Sequence, residues 1–336
     1  MKQNLLLITT TAAGEKEQYR GERIFINTGA LPVMLPIPGL AESNAILDST
    51  AAMDQKEMPE KLVIIGAGYI GLEFASMFAK YGSKVTVLDL HEQFLPREDD
   101  DIASEIKKDM ENSGVTFELG VKINRVDDQT VYYEKDGHSY EAVADRILVA
   151  TGRKPNTENL GLENTGIQLT DRGAIKVDNH LQTTVPNIWA IGDVKGGLQF
   201  TYISLDDFRI IKDQLFGSGK RSLSDRINVP YSVFITPSLS RVGLSEKEAK
   251  AQGINYELKK LPVAAIPKAK DLRGLFKALI DPETGLILGV TLYGAESYEL
   301  INMISLAMKM KIPAAVLWDQ IYTHPTMSES FNDLFK

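Results

Sequence analysis

The 336-residue sequence contains no cysteine. Disulfide bonds, thiolate metal ligands and cysteine nucleophiles are therefore excluded within it. Positive charge is also in short supply, since 37 lysines and arginines face 45 aspartates and glutamates, which leaves a net charge of −8. Proteins that bind nucleic acids usually carry an excess of basic residues, so we expect no nucleic-acid partner.

Long apolar runs are missing as well. Runs such as residues 62–65 and 286–292 fall far short of the roughly 20 apolar residues that span a membrane. Residues 5–8 follow Lys2 but are too short for the core of a signal peptide, and no small-residue cleavage site follows them. We therefore expect a cytoplasmic protein with no membrane partner.

The first half of the chain alternates between strand-like and helix-like patterns. We expect strands at residues 23–28, 62–65, 84–89, 117–119 and 146–150, and helices at residues 69–81 and 99–112. Asp136-Gly137 predicts the turn of a hairpin formed by residues 130–135 and 138–142. Because strands alternate with helices, the sequence predicts an α/β fold with a parallel, doubly wound sheet.

The remaining segments have other patterns. After residues 5–8 the chain is polar, and we predict no regular structure up to residue 23. A strand at 187–191 and a helix at about 205–216 are expected before the Gly-Ser-Gly-Lys run at 217–220, which is predicted to be a loop because it follows a helix. From residue 228 onward strands precede two helices, at 297–310 and 314–322, which predicts a separate α+β domain.

Residues 66–71 fit the pattern G-x-G-x-x-G, with Gly66, Ala67, Gly68, Tyr69, Ile70 and Gly71. The pattern follows a predicted strand and opens a predicted helix, which favours a dinucleotide site over a ligand-free glycine turn. Gly66 would allow the tight turn, Gly68 the approach of a phosphate, and Gly71 the packing of helix against strand. The positive end of the helix would then attract the pyrophosphate.

Asp89 ends the next predicted strand, at about the separation of 20 residues that is typical of this motif. A carboxylate there can accept hydrogen bonds from both ribose hydroxyls and would repel a 2′-phosphate. No lysine or arginine occurs in the Leu-His-Glu-Gln segment that follows, at residues 90–93. The sequence therefore predicts NAD rather than NADP.

Four further segments, taken in chain order, point to a family. They are Ala-Thr-Gly-Arg-Lys-Pro-Asn at 150–156, Trp-Ala-Ile-Gly-Asp at 189–193, residues 233–234 with 242–245, and His-Pro-Thr-Met-Ser-Glu at 324–329. Over about residues 22–336 the chain resembles the class I pyridine nucleotide–disulfide oxidoreductases, the flavoprotein family of dihydrolipoamide dehydrogenase, glutathione reductase and mercuric reductase. Residues 94–99 and 199–202 are most similar to its bacterial branch linked to reactive-chlorine resistance.

The resemblance implies a fold and two cofactor sites. A Rossmann-like NAD(H)-binding domain (59–153) would be inserted in a truncated FAD-binding domain (1–58 and 154–227), followed by an α+β dimerisation domain (228–336) that forms a homodimer. The residues implied to contact NAD(H) are Gly66, Ala67, Gly68, Tyr69, Ile70, Gly71, Glu73, Asp89 and Gly152. The residues implied to contact FAD are Thr28, Gly29, Ala30, Asp193, Gln199, Phe200, Thr201 and Tyr202.

His324 and Glu329 are the implied catalytic pair. The resemblance assigns His324 as a base in the active site of the partner subunit and Glu329 as the residue that orients it. The residues support this, because Pro325 disfavours helical geometry at His324 and the turn after it can return a carboxylate to the ring. Such a pair fixes the tautomer of the imidazole and raises its basicity. From the spacing alone, an ordinary surface histidine is the alternative.

No metal site is predicted. The acidic run at residues 98–101 could mimic one, but stabilisation of the N-terminus of the following helix explains it better. His91, His138 and His180 stand in segments where solvated side chains are expected.

The sequence departs from the family pattern at its start. Family members begin with an FAD-binding βαβ unit that has its own glycine motif, followed by a helix with C-x-x-x-x-C, and neither occurs here. Two functions therefore stay open. One is an FAD-dependent NAD(P)H oxidoreductase that passes a hydride from NADH to flavin and then to an unknown acceptor. The other is a catalytically impaired, NAD(H)-binding dimer without a redox disulfide.

Overall fold

The computed structural model describes residues 5–266 and 271–336. The strands, in chain order, are β1 (Leu5–Thr10), β2 (Lys16–Gly21), β3 (Ile24–Ile26), β4 (Ala30–Pro32), β5 (Ile46–Leu47), β6 (Lys61–Ile65), β7 (Lys84–Asp89), β8 (Val115–Leu119), β9 (Lys122–Asp127), β10 (Thr130–Lys135), β11 (His138–Val143), β12 (Arg146–Val149), β13 (Arg153–Pro155), β14 (Ile188–Ala190), β15 (Tyr231–Val233), β16 (Leu239–Gly243), β17 (Glu257–Pro262), β18 (Leu275–Ile280) and β19 (Ile287–Tyr293). The α-helices are α1 (Ser49–Met53), α2 (Tyr69–Lys80), α3 (Asp100–Asn112), α4 (Thr201–Phe216), α5 (Glu246–Ala251), α6 (Ser297–Lys309), α7 (Ala314–Asp319) and α8 (Ser330–Leu334).

The chain divides into two compact units. The first unit combines the residues up to Pro32 with Arg153–Arg226, and the second combines Val33–Gly152 with Ile227–Lys336. The glycine motif and the C-terminal segment therefore belong to the same unit. The three domain boundaries implied by the family resemblance stay a prediction.

The second unit contains the predicted parallel sheet, with strand order β5-β12-β6-β7-β8. Its central strand β6 is buried on both faces after its first residue, which is why this stretch of sequence is continuously apolar. Helix α2 packs on the sheet through Leu72 and Ala75, both fully buried. The predicted hairpin β10–β11 joins β9 in a separate antiparallel sheet.

The C-terminal segment forms an antiparallel sheet with the order β15-β16-β19-β18-β17, covered by α6, α7 and α8. Phe276, Ile304 and Phe331 are fully buried between them. The predicted α+β character of this segment is confirmed. One hydrophobic cluster joins Leu239 and Tyr293 of this segment to the core beneath α2, so the two sheets of the unit share packed side chains.

Within the described residues, the first unit contains three two-stranded sheets, one of them formed by β1 and β2. Strand β14 pairs in parallel with β3, and β13 pairs in antiparallel fashion with β4. Helix α4 buries Ile210 and Ile211 in a cluster with Leu181 and Trp189. The β13–β4 and β14–β3 sheets place the turn at residues 28–30 and the Asp193 turn at their ends.

The prediction of irregular structure before residue 23 was wrong. Strands β1 and β2 form an antiparallel hairpin, with Leu7 opposite Tyr19. The side chains of β2 are exposed throughout, so the strand has no alternation of polar and apolar residues from which it could be predicted. A turn closed by the hydrogen bond from Gly14 N–H to the Thr11 carbonyl joins the two strands.

Two predicted helix ends were also wrong. Helix α4 begins at Thr201, four positions before the expected start, and α7 ends at Asp319 because Gln320 is extended. Strands β9, β16 and β17 were not predicted. Strand β16 is buried on both faces although it contains Ser240 and Arg241, which hides it from a search for apolar residues.

Candidate functional site

The three motif glycines have different surroundings. Gly66 has a φ of +108°, and a Cβ there would lie 2.6 Å from the Ala150 carbonyl oxygen. A Cβ at Gly71 would lie 2.1 Å from the Gly66 carbonyl oxygen, so helix and turn touch through backbone atoms. A Cβ at Gly68 would meet no atom within 4 Å. Gly66 and Gly71 are therefore needed for packing, whereas Gly68 borders open space.

Helix α2 begins at this open space. Gly68 is its N-cap residue, and within the described chain no side chain caps this end. The N–H groups of the first helical turn, at Tyr69 and Ile70, have no partner within the helix and carry the positive end of its dipole. A Cβ built at Gly152 likewise meets no atom within 4 Å. Open space beside uncapped N–H groups fits a bound pyrophosphate.

Asp89 ties the end of β7 to the glycine turn. Its Oδ2 accepts a hydrogen bond from the Ala67 N–H at 2.5 Å, and its Oδ1 accepts one from the His91 N–H at 2.8 Å. The His91 ring lies beside the same oxygen, with 72% of its side chain exposed. An ionised carboxylate has about four acceptor positions, so Asp89 keeps capacity for a ribose hydroxyl.

Glu73 lies in α2 two residues after Gly71 and contacts the C-terminal segment. Its Oε1 accepts a hydrogen bond from the Phe234 N–H at 2.8 Å. Burial raises the pKa of this carboxyl, and the Phe234 hydrogen bond opposes that rise. The structure thus joins the motif helix to the segment at residues 233–234 that the family resemblance singled out.

Two carboxylates of the acidic run have roles that the sequence did not predict. Glu98 is fully buried, and its Oε1 accepts hydrogen bonds from the hydroxyls of Tyr69 and Tyr231 at 2.5 and 2.6 Å. Asp99 accepts from the N–H groups of Glu246 and Lys247, at the start of α5. The prediction that the acidic run stabilises α3 is confirmed for Asp100 and Asp101, which occupy its first turn. Asp99 is the N-cap residue of α3, but its side chain makes no capping hydrogen bond there.

An ion cluster surrounds Lys277, which is fully buried. Its Nζ lies 2.7 Å from Asp99, 2.8 Å from Asp101 and 3.0 Å from Glu246. Burial alone would lower the pKa of Lys277, but hydrogen bonds to the three carboxylates raise it to about 12. The cluster joins α3 and α5 to strand β18 of the antiparallel sheet.

The predicted FAD-contacting turn at residues 28–30 is held by the segment after β13. Thr28 Oγ1 donates to the Asn156 carbonyl at 2.7 Å, and the Asn156 N–H donates to the Gly29 carbonyl at 2.9 Å. Ala30 opens β4 and pairs with Pro155. Reciprocal backbone and side-chain hydrogen bonds therefore fix the conformation of the turn.

Asp193 lies in a short 3₁₀ helix, Gly192–Lys195, directly after β14. The carboxylate of Asp207, which is fully buried in α4, accepts a hydrogen bond from the Gly192 N–H at 2.8 Å. Lys195 Nζ lies 3.3 Å from the same carboxylate. The turn that presents Asp193 is thus anchored to α4.

Gln199, Phe200, Thr201 and Tyr202 form the N-terminal end of α4, where Phe200 is the N-cap residue. The rings of Phe200 and Tyr202 stack with centroids 5.0 Å apart. Burial raises the pKa of Tyr202 to about 12. Aromatic faces and a helix N-terminus beside the Asp193 turn are a chemically suitable lining for part of a flavin cofactor.

His324 Nδ1 lies 3.0 Å from Glu329 Oε1, and Glu329 Oε2 accepts from the Thr326 N–H at 3.0 Å. The His324 side chain is 56% exposed. Glu329 is thereby held in place by the backbone while its other oxygen faces the imidazole. This leaves Nε2 as the ring atom directed away from the carboxylate.

Within residues 5–266 and 271–336, no group of three or more histidine, aspartate or glutamate side chains is placed to hold a metal ion. In the same described part of the chain, no helix is long and apolar enough to cross a bilayer.

Comparison with known families identifies the chain. Residues 2–207 match the family described as "Pyridine nucleotide-disulphide oxidoreductase", and residues 229–335 match its dimerisation domain. The chain belongs to the pyridine nucleotide–disulphide oxidoreductase family. The resemblance on which the sequence analysis rested is therefore confirmed, as is the mixed α/β fold.

Similar proteins have been named in this family. The chain is 50% identical over 321 residues to the probable pyridine nucleotide-disulfide oxidoreductase RclA of Escherichia coli K12, covering 95% of this chain and 73% of that protein. It is 35% identical over 320 residues to dihydrolipoyl dehydrogenase of Geobacillus stearothermophilus, covering 93% and 67%. A solved structure, "Cu(II) complex of HOCl-induced flavoprotein disulfide reductase RclA from Escherichia coli", matches with a TM-score of 0.95 and 48% identity, covering 100% and 76%.

Pyridine nucleotide–disulphide oxidoreductases are FAD-dependent flavoproteins that use NAD(P)H, and this chain carries their dimerisation domain. The similarity to RclA supports an NADH-linked flavoprotein oxidoreductase.

The sequence did not reveal that Glu98, Tyr231 and Arg241 lie close to the glycine motif. No local signal could have found them, because Tyr231 is 133 residues from Glu98 in the chain.

Proposed function

We propose that this chain binds NADH at the glycine turn and works as an FAD-dependent oxidoreductase that delivers electrons to an acceptor. The observation that carries the proposal is the open space at Gly68 beside the uncapped N-terminus of α2, with Asp89 tied to the same turn. The first-turn N–H groups hold the pyrophosphate, and the free acceptor positions of Asp89 bind the ribose hydroxyls. The carboxylate disfavours the 2′-phosphate of NADPH.

FAD, when bound, supplies a ring system that accepts a hydride and passes electrons onward. The residues that hold it are Asp193 at the ribityl chain, the turn at 28–30, and residues 199–202 beside the ring. The anchoring of Gly192 by Asp207 supports this assignment, because a ligand-binding turn must be held in one conformation.

His324 is proposed as the base that serves the partner subunit of a homodimer. Glu329 accepts from Nδ1–H, so that Nε2 carries the lone pair that takes a proton. Exposed apolar side chains on α6, α7 and the following segment support the dimer, since such a surface marks an interface. They include Leu306 (60% exposed), Val316 (50%) and Ile321 (90%).

A second candidate function is NADH binding and dimerisation without turnover. The absence of cysteine favours it, because electron transfer through a dithiol requires two thiols that this sequence does not supply.

The first proposal leaves the electron acceptor to be identified by experiment. A disulfide and Cu(II) are the acceptors to test, the latter because the RclA structure is titled as a Cu(II) complex.

The deciding experiment is anaerobic titration of the purified chain, with and without added FAD, by NADH. The first proposal predicts a flavin absorbance band that NADH bleaches and that the acceptor restores. A chain that quenches or enhances NADH fluorescence on binding, yet shows no bleaching with FAD present, supports the second candidate. Absence of NADH binding under all conditions contradicts both.

A further inference from the structure

A hydrogen-bonded triad connects the glycine motif to the C-terminal sheet. The hydroxyls of Tyr69 and Tyr231 both donate to Oε1 of Glu98, and the two rings stack with centroids 5.7 Å apart. Tyr69 is the first residue of α2, whereas Tyr231 opens β15. One carboxylate oxygen thus fixes the position of the tyrosine that follows Gly68.

The carboxylate of Glu98 is buried, so it needs hydrogen-bond donors and a positive charge nearby to compensate its desolvation. The residue is fully buried, and its Oε2 lies 3.9 Å from Nη1 of Arg241. The Arg241 guanidinium lies 5.3 Å from the centroid of the Tyr231 ring, and Arg241 itself is buried. Buried charges are retained when hydrogen bonds and an opposite charge compensate their desolvation. Glu98 is therefore a fixed anchor for the two phenols.

The electrostatics of the phenols agree with this arrangement. Burial and then the charge of Glu98 raise the pKa of both Tyr69 and Tyr231 above the ordinary value for tyrosine. Both hydroxyls consequently keep their protons at neutral pH and remain donors to the carboxylate.

The position of Tyr69 matters because of what lies next to it. The space around Gly68 is open, and a tyrosine at the adjoining position can direct its ring to different sides through rotation about χ1. The triad holds the ring against the shared hydrophobic cluster of the second unit. The triad therefore fixes which side of this open space the ring occupies.

We propose that Glu98 is a positioning residue of the NAD(H) site, which acts through Tyr69 by holding its ring out of the phosphate-binding space. This inference rests on the proposed function, since it concerns access to the same glycine turn. It also gives the C-terminal sheet a part in NADH binding, because Tyr231 and Arg241 hold Glu98 in place.

The test is a double-mutant cycle read as the Kd for NADH, measured by fluorescence titration. Glu98→Ala should raise the Kd about 3- to 10-fold, because the binding-competent rotamer of Tyr69 is then only part of the population. Glu98→Gln keeps an acceptor oxygen and should show a smaller rise. In a Tyr69→Ala background there is no ring to block the site, so Glu98→Ala should change the Kd less than twofold.

Glu248→Gln is the matched control, because Glu248 also faces Arg241, at 3.4 Å, while the triad does not include it. It should leave the Kd unchanged. Tyr69→Phe keeps the ring but removes the hydroxyl that donates to Glu98, without removing a buried charge, so it keeps the test decisive if Glu98→Ala does not fold. A thermal unfolding midpoint is recorded for every variant.

The results distinguish failure of the proposed NADH binding from failure of the role assigned to Glu98. If the wild-type chain does not bind NADH, the proposed function fails. If the wild-type chain binds NADH but Glu98→Ala and Tyr69→Phe leave the Kd unaltered, the inference is overturned. It is also overturned if Glu98→Ala raises the Kd by the same factor with and without the Tyr69 ring, because Glu98 would then act only through general stability.

Discussion

Asp207 Oδ2 accepts a hydrogen bond from the backbone N–H of Gly192 at 2.8 Å, so a buried carboxylate in α4 fixes the turn that presents Asp193. The same side chain pairs with Arg226 at 2.5 Å and with Lys195 at 3.3 Å. The helix therefore holds both the backbone and the charges of this turn.

Replacement of Asp207 by Ala should destabilise the first unit. It leaves Arg226 and Lys195 without their buried partner, a change that typically costs about 3–5 kcal/mol of the free energy of unfolding. Urea denaturation measures this loss. Glu158→Gln is the control, because Glu158 and its partner Lys154 in the same unit are 62% and 46% exposed, and such pairs contribute about 1 kcal/mol or less. Equal losses in the two variants would contradict the role of Asp207.

Replacement of Lys277 by Met should lower the free energy of unfolding by about 3–5 kcal/mol at neutral pH, because three carboxylates lose their shared cation. Lys260→Met is the matched control. Lys260 is 42% exposed and pairs with Asp101, so its loss should be about 1 kcal/mol or less.

The effect of Lys277→Met should depend on pH. Burial would raise the pKa of Glu246, but its hydrogen bonds to Lys250 and Lys277 lower it from 4.5 to about 2. A depressed pKa stabilises the fold above the pKa of the unfolded chain, and this contribution is lost as the pH falls through the folded value. The difference between wild type and variant should therefore shrink between about pH 4.5 and pH 2. A difference that stays constant over this range would refute the ion-cluster explanation.

Replacement of Asp89 by Ala should weaken NADH binding. Loss of a hydrogen bond to a charged acceptor is worth about 1.5–3 kcal/mol, or roughly a 10- to 150-fold rise in Kd. The preference for NADH over NADPH should decrease at the same time, because the repulsion of a 2′-phosphate is removed. His91→Ala is the control, since the His91 ring touches the same carboxylate but is mostly exposed. Tighter binding of NADPH than NADH by the wild-type chain would contradict the choice of cofactor.

Replacement of Ile321 by Asp should shift the proposed homodimer toward monomer. Ile321 is 90% exposed, so the change costs little folding free energy in the monomer but places a charge in an apolar interface. Analytical ultracentrifugation over micromolar concentrations measures the shift. Tyr81→Glu, at the exposed end of α2, is the control and should leave the association unchanged. A wild-type chain that sediments as a monomer would contradict the dimer.

Several features of the fold could be predicted because their signals are local. Strand β7 occupies the predicted residues, and α2 begins at the predicted Tyr69, since apolar runs and glycines mark both. The hairpin β1–β2 could not be predicted, because the exposed side chains of β2 leave no periodic pattern. The end of α7 at Asp319 also had no local signal, because the side-chain amide of the distant Asn332 donates hydrogen bonds to the carbonyls of Trp318 and Gln320 there.

The sequence by itself determined the glycine turn, the family and the absence of thiols, because each depends on residue type at fixed short spacing. Tertiary structure alone decided what the acidic run does. Glu98 and Asp99 stand where a helix would attract carboxylates, yet their side chains bind Tyr231 and Lys277, which lie 133 and 178 residues further along the chain. A buried charge is stabilised by whichever partners the fold brings to it, and sequence spacing carries no record of those partners.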